Sequence, residues 1–279
     1  MSGAPTFQDP GLQAAVERDG YAVVDFATPA VLAELRSAYQ ELDSGIDTGY
    51  YPSLMSSDEA YKAAAHRLIT DLLWPRFGEL LVDYTPLLGV FMVKHSGPET
   101  EVVPHQDWIV ADESDRPTMN AWVPLTPVDD DVGRMRVLPG SHRWLDGLRG
   151  SPSFPTSWEG VYERVRDELM VTVPVEVGQA IVYDIRLLHG TPANRSDRTR
   201  VVTSLYAIPE GAPAVHYHRD DAGTVRGYRV PMDFCTTFVI GDEPPGERFV
   251  EIPGYSIEAL SFDQIAERHA RDRVALGAS

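Results

Sequence analysis

The chain has 279 residues, 43% hydrophobic and 24% charged, which is enough to bury a full core in one large domain or two small ones. Its 24 basic and 42 acidic residues leave a formal charge of −18 and no basic face, which disfavours nucleic acid and anionic membrane as partners and fits a soluble, self-repelling surface. The single cysteine, Cys235, excludes an internal disulfide and a cysteine-built zinc site; no apolar run reaches the roughly 18–20 residues of a membrane span, and Met1–Pro10 has neither the basic nor the apolar region of a secretory signal, so a cytoplasmic location is expected.

Asp9-Pro10 opens a helical pattern that puts Leu12, Ala15 and Val16 on one side. Asp19-Gly20 is a turn signal, and Tyr21 to Phe26 reads as a short strand. Thr28-Pro29 caps a second helix with Leu32, Leu35, Ala38 and Tyr39 on its buried face. Ser44 to Glu59 is polar and reads as loop; Ala60 to Asp83 reads as helix, with Leu68, Leu72 and Leu80 expected in the core. From about Leu87 short apolar runs separated by Gly, Pro, Asp and Asn take over: Gly89–Lys94, Met119–Leu125, Met135–Leu138, Val171–Val177, Ala180–Asp184 and Val201–Ile208. Helices followed by many short strands predict a mainly β protein with supporting α-helices, a helix-supported sandwich or barrel rather than βαβ units. No linker splits it. One domain is expected, with helical support over about 1–86, a β core over about 87–210, and a C-terminal lid and helix over about 211–279.

Three residues carry the chemistry. His105 and Asp107, in Pro104-His-Gln-Asp-Trp108, are spaced by two, so on a strand they share a face. His189, in Leu187-Leu-His-Gly190, follows a predicted strand. Two imidazoles and one carboxylate form the facial set that holds ferrous iron and leaves coordination positions open, unlike a closed four-ligand zinc site. Arg200 lies eleven residues after His189 and offers a rigid fork for a carboxylate; Arg198 is the alternative, and Thr191 can add a hydroxyl.

From Gly20 to about Ile208 the chain resembles the phytanoyl-CoA dioxygenase family of Fe(II)/2-oxoglutarate oxygenases. The resemblance rests on Asp19-Gly-Tyr-Ala-Val-Val24, Pro104-His-Gln-Asp107, Asn120-Ala-Trp-Val-Pro-Leu125, Val137-Leu-Pro-Gly-Ser-His142 and His189-Gly-Thr-Pro-Ala-Asn-Arg-Ser-Asp-Arg-Thr-Arg200. It implies a double-stranded β-helix (jelly-roll, cupin-like) core, Fe(II) held by His105, Asp107 and His189, 2-oxoglutarate held by Arg200 and Thr191, and O2 as oxidant. It also implies that Lys94, Asn120 and Trp122 line the co-substrate pocket, with a surface ion pair as the other reading of Lys94. The family's usual Glu-Asn-Gly is replaced by Asp131-Val-Gly133, a departure expected to touch no ligand. Asp107 occupies the position that related halogenases leave small, so the resemblance implies a dioxygenase that hydroxylates a small metabolite or natural-product intermediate, releasing succinate and CO2. Desaturation, epimerisation or ring formation on the same core, a non-catalytic metal and organic-acid binding protein, and a zinc or manganese enzyme with the same ligands are the alternatives.

Among the other histidines, His142 reads as a structural turn residue and His66 and His95 as surface or core residues. His216-Tyr-His218-Arg-Asp220 holds a second His-x-Asp, a decoy pair whose only later histidine, His269, lies in a charged helical stretch, and it reads as a substrate-facing loop. The lids are expected at Gly45–Ser57, Asp112–Thr118, Trp144–Glu159 and Glu210–Phe234, since loops on a rigid scaffold carry specificity. The last holds Tyr217, Tyr228, Phe234, His218, Arg219 and Arg229, which suit a mid-sized, partly polar substrate; Trp108 is expected in the pocket. No basic patch for a coenzyme A carrier is visible, so a free small-molecule substrate is expected, with oligomeric state left open.

Overall fold

A computed structural model describes residues 4–42, 44–151, 154–239 and 241–275. The N-terminal helices start where the sequence places their caps. The Asp9 carboxylate accepts from Leu12 N at 2.7 Å and opens α1 (Pro10–Asp19), which Gly20 ends in the left-handed region at φ 85°. After β1 (Tyr21–Asp25), Thr28 Oγ1 accepts from Val31 N at 3.3 Å and opens α2 (Pro29–Glu41). The stretch expected as loop holds β2 (Tyr50–Pro52) and a 3-10 turn, Ser53–Met55. Three residues are too few to show a period; their strand exists because it pairs with a long neighbour.

Asp58 caps α3 (Glu59–Leu80). Its buried stripe is Tyr61, Ala65, Ile69, Leu73 and Phe77, spaced by four, and the expected core residues Leu68, Leu72 and Leu80 flank it half-buried. Leucine content pointed at the shoulder of the face that the sheet selects.

The β region runs β3 (Tyr84–Lys94), β4 (Val102–His105), β5 (Met119–Pro124), β6 (Arg136–Val137), a short α4 (Tyr162–Arg164), β7 (Val171–Thr172), β8 (Gln179–Asp184), β9 (His189–Thr191) and β10 (Arg200–Pro209). The expected Val171–Val177 strand stops at Thr172, because Pro174 cannot donate to a ladder. Strands β3 to β10 divide four and four between two antiparallel sheets. The larger has order β1-β8-β5-β10-β3-β2 and the smaller β4-β9-β6-β7. This is a double-stranded β-helix, widened by β1 and β2 from the helical support.

Alternation along the large sheet separates two cores. Phe91, Ala121, Val123, Val182 and Leu205 face α1–α3, whereas Val90, Trp122, Ile181, Tyr183 and Val202 face the small sheet. Where α3 crosses β3, a Cβ on Gly89 would lie 2.7 Å from Ile69 Cβ and 3.0 Å from the His66 carbonyl oxygen. Gly89→Ala is therefore expected to push α3 off the sheet and cost about 1–3 kcal/mol. Urea unfolding monitored by circular dichroism reads this as a lower midpoint, and an unchanged midpoint would show that α3 yields freely.

The C-terminal region, expected as a lid and helix, holds a further sheet before its helix. β11 (Val215–Arg219), β12 (Val225–Arg229) and β13 (Glu247–Ile252) form a third antiparallel sheet, with α5 (Phe234–Thr237) between its last two strands. α6 (Phe262–Ala275) packs Phe262 and Ile265 onto Leu138, Trp158, Val165 and Leu188, and Arg143 ties it to α1 through Asp272 and the carbonyls of Glu17 and Arg18. Among the described residues no helix is long and apolar enough to cross a membrane.

Candidate metal and co-substrate site

The last residue of β4 and the first of β9 are partners in register, which brings His105 and His189 face to face with ring centroids 4.3 Å apart. Gly190 permits this approach, since a Cβ there would meet Val102 O at 2.8 Å. Asp107 lies beyond the end of β4; Asp107 N donates to Ile185 O at 3.1 Å, and that bond places its carboxylate rather than strand alternation. Asp107 Oδ1 lies 3.7 Å from Nε2 of each histidine, and the three ligand atoms fall within 4.8 Å of one another. It is the one such group of histidine, cysteine and acid found among the described residues.

Second contacts aim each ligand. His105 Nδ1 sits 2.9 Å from Val103 O, and His189 Nδ1 sits 3.0 Å from Leu187 O. A carbonyl only accepts, so each Nδ1 carries the proton and each Nε2 lone pair faces the centre. Tyr183 Oη donates to Asp107 Oδ2 at 3.0 Å and accepts from Asn120 Nδ2 at 2.8 Å, which leaves Oδ1 turned inward. Burial opposes charge on Asp107, but both imidazoles and the Tyr183 hydrogen bond outweigh it and bring its pKa to about 2. Burial and the neighbouring His105 bring His189 down to about 4, so it is neutral and ready to ligate at pH 7. Tyr183→Phe removes the bond that orients Asp107 and is expected to weaken divalent metal binding by about 10- to 100-fold, read by nickel(II) or iron(II) titration. Unchanged affinity would make the Tyr183 contact incidental.

The second half of the site is a buried cation without a counter-charge. Arg200 opens β10 opposite Lys94 and is 1% exposed. Its Nη1 donates to Gly133 O at 2.6 Å, its Nε has no partner, and no carboxylate pairs with it among the described residues. Burial lowers its pKa to about 10. Nearby, Thr191 Oγ1 is also buried without a partner. Orphaned donors are costly unless something binds them, so these two fit the far carboxylate of a dicarboxylate.

The other expected residues fall as follows. Trp122 lines the cavity with the Arg200 guanidinium 5.6 Å from its ring. Lys94 and Asn120 do not line it. Lys94 is neither a wall residue nor a surface ion pair: fully buried, its Nζ donates to Thr191 O at 2.9 Å and Pro192 O at 2.6 Å, and burial brings its pKa to about 6. It holds the Thr191 backbone from behind, as Asn120 holds Tyr183. Arg198 lies ahead of β10 and pairs on the surface with Asp129 at 2.6 Å, so it does not share a face with Arg200. In Asp131-Val-Gly133 the carbonyl that anchors Arg200 belongs to Gly133, the residue shared with the family's Glu-Asn-Gly, and neither Asp131 nor Val132 lines the cavity.

His216 is buried against Phe234 and Phe238 with Nε2 2.9 Å from Ser151 Oγ, and Asp220 pairs with Arg226, so the decoy pair does not converge. Of the four expected lids, only the first reaches the cavity, through Tyr50, Pro52, Leu54 and Met55. Residues 144–159, of which 152 and 153 lie outside the described residues, turn away because Ser151 pairs with the backbone of Tyr217 and Arg219. Residues 112–118 and 210–234 contribute nothing to the lining, and Cys235 is the one residue beyond 210 that does. Trp108 lines it as expected. Sequence reasoning missed Tyr50, Tyr183 and Tyr206. Alternation along Ala180–Asp184 could have found Tyr183, on the same face as Ile181.

A double-stranded β-helix that converges two imidazoles and a carboxylate beside an unpaired arginine defines a jelly-roll protein with a candidate facial metal site. The chain belongs to the phytanoyl-CoA dioxygenase (PhyH) family, which matches residues 16–202. It is similar to phytanoyl-CoA dioxygenase domain-containing protein 1 of Danio rerio, 30% identical over 137 residues that are 46% of each chain. It is also similar to the dioxygenase olcK of Penicillium canescens, 24% identical over 216 residues, 73% of this chain and 64% of that one. The chain thus spans about half to two-thirds of the curated relatives it matches. Among solved structures, the fold is similar to the epimerase SnoN in complex with Fe3+, alpha ketoglutarate and nogalamycin RO, with TM-score 0.53, 23% identity, and 74% of this chain and 87% of that one covered. It is likewise similar to the carbocyclase SnoK from nogalamycin biosynthesis (TM-score 0.53, 18% identity, 76% and 89% covered). A third is HygX from Streptomyces hygroscopicus with nickel, 2-oxoglutarate and hygromycin B bound (TM-score 0.52, 18% identity, 73% and 88% covered).

Proposed function

We propose that the chain is an Fe(II)- and 2-oxoglutarate-dependent dioxygenase that oxidises an unactivated C–H bond of a free small molecule, as one functional unit and in the cytoplasm. The observation that carries this reading is the pairing of a three-ligand cluster with a buried, uncompensated Arg200 Nε and Thr191 Oγ1 on one cavity. His105 Nε2, His189 Nε2 and Asp107 Oδ1 would hold the iron, and Arg200 with Thr191 would bind the far carboxylate of 2-oxoglutarate. Bound iron and 2-oxoglutarate supply the activation of O2 that oxidises the substrate, with succinate and CO2 as co-products. The protein's part is positioning. Tyr183 keeps Asp107 turned to the metal, Lys94 fixes the Thr191 backbone, and the apolar walls exclude water and hold the target carbon. The carboxylate of Asp107 favours hydroxylation over halogenation. Epimerisation and ring formation, named for SnoN and SnoK, are the alternative outcomes on the same centre. A sequence with a single cysteine has no disulfide framework, which fits a reducing compartment.

Anaerobic addition of Fe(II) and 2-oxoglutarate is expected to give a weak visible charge-transfer band. Admitting O2 in a substrate screen is expected to release succinate, with product analysis separating hydroxylation from the alternatives. A band without succinate for any substrate would support a binding protein instead, and activity restored by zinc but not by ferrous iron would remove the dioxygenase reading.

A further inference from the structure

The cavity holding the three ligands and Arg200 has a volume of about 260 Å³, and its walls say what can enter. Leu54, Leu88, Val90, Met92, Val110 and Met135 line it, with Trp108 and Trp122 beside them. Apart from Arg200 there is no lysine or arginine in the lining, and apart from Asp107 no acid. The basic and imidazole side chains that suggested a partly polar substrate stand elsewhere: Arg219, Arg229 and His218 do not line the cavity, and Arg229 pairs with Glu247 on the surface. Met55, 53% exposed, extends the apolar wall to the rim.

Charge counting points the same way. With neutral imidazoles, the charges of ferrous iron and Arg200 are balanced by Asp107 and the two carboxylates of 2-oxoglutarate. A loaded site is neutral. A substrate carboxylate, phosphate or ammonium would be buried among leucine, valine and methionine with nothing to offset its lost hydration. The net charge of −18 further repels a polyanionic carrier.

We infer that the substrate is an uncharged molecule with an apolar carbon skeleton, taken free rather than as the coenzyme A thioester in the family's name. This rests on the reading of the cavity as the iron and 2-oxoglutarate site. Hydroxyls are the polar groups the walls can meet, through the phenols of Tyr50 and Tyr206.

The test uses protein loaded with nickel(II) and 2-oxoglutarate and titrated with geraniol, geranic acid and geranyl diphosphate, read by quenching of Trp108 and Trp122 fluorescence and by ligand-observed NMR. Geraniol is expected to bind saturably and at least about tenfold tighter than either anion. Equal or tighter binding of an anion, or no binding of geraniol at millimolar concentration, overturns the inference. Met92→Lys places a cation in the wall and is expected to reverse the preference towards geranic acid. Leu54→Lys, on the 3-10 turn at the cavity edge, repeats the test where Met92→Lys does not fold, and an unchanged preference in a folded variant counts against the inference. Metal and 2-oxoglutarate binding are measured beforehand by calorimetry. If they fail while the probe preference holds, the iron site is wrong and the wall chemistry stands.

Discussion

His105→Ala is expected to lower ferrous iron affinity by at least about a thousandfold, equivalent to about 4 kcal/mol, and to remove turnover with it. Loss of an outer hydrogen bond to a metal ligand costs about 10- to 100-fold, and losing the ligand itself must exceed that. His105 is the ligand to change because its side chain is 36% exposed, against 6% for His189, so truncation opens no deep cavity in the core. Its Nδ1 bond to Val103 O lies within two residues and supports no distant contact. The variant should therefore unfold at nearly the wild-type temperature while failing to bind metal. Calorimetric titration with iron(II) under argon, paired with a thermal melt, separates these effects. Wild-type iron affinity in a folded His105→Ala protein would place the metal elsewhere.

Arg200→Ala is expected to raise the dissociation constant for 2-oxoglutarate by about 30- to 1000-fold, equivalent to about 2–4 kcal/mol, the range for loss of a buried charge-assisted contact. Iron binding should persist, because Arg200 touches none of the three ligands in the hydrogen bonds it makes. Stability should fall little. The free site already holds an uncompensated guanidinium, so the deletion removes a buried unpaired charge while leaving Gly133 O without its donor. Arg200→Lys should recover only part of the affinity, since an ammonium lacks the planar fork. Arg198→Ala is the matched control: its partner Asp129 is half-exposed and such a pair contributes little. Equilibrium binding of 2-oxoglutarate to the nickel(II)-loaded proteins measures all three, and equal losses in Arg198→Ala and Arg200→Ala would move the carboxylate site.

Much of the fold could be read from short-range pattern. Asp9 and Thr28 cap their helices because a side-chain oxygen beside free amides is a local matter. Strands β5, β8 and β10 follow from short apolar runs bounded by turn residues. Other elements owe their existence to partners distant in the chain. β2 forms only as the edge neighbour of β3, and residues 215–219, 225–229 and 247–252 form a sheet because their backbones pair with one another, the first of them also with Ser151. The buried stripe of α3 was set by the sheet beneath it, one position from the leucines that composition favoured.

The same division runs through the site. His105, Asp107, His189, Arg200 and Thr191 were legible because metal and carboxylate chemistry restricts residue type, and their order along the chain resembles a family pattern. Tyr50 was hidden in a polar stretch, and Lys94 and Asn120 were assigned to the wall although they stand behind it.

By itself, then, the sequence determined which side chains can do chemistry, since ligand identity is a property of the residue, and it determined the helices and long strands, whose periods lie within a few residues. Only the tertiary structure decided that Lys94 braces a backbone, that Tyr183 aims a carboxylate, and that the cavity walls are apolar. Those depend on register and on which face meets which neighbour, with Lys94 and Pro192 standing 98 positions apart and Tyr183 and Asp107 76 apart, and hydrogen bonds and burial at that distance are invisible to any local pattern.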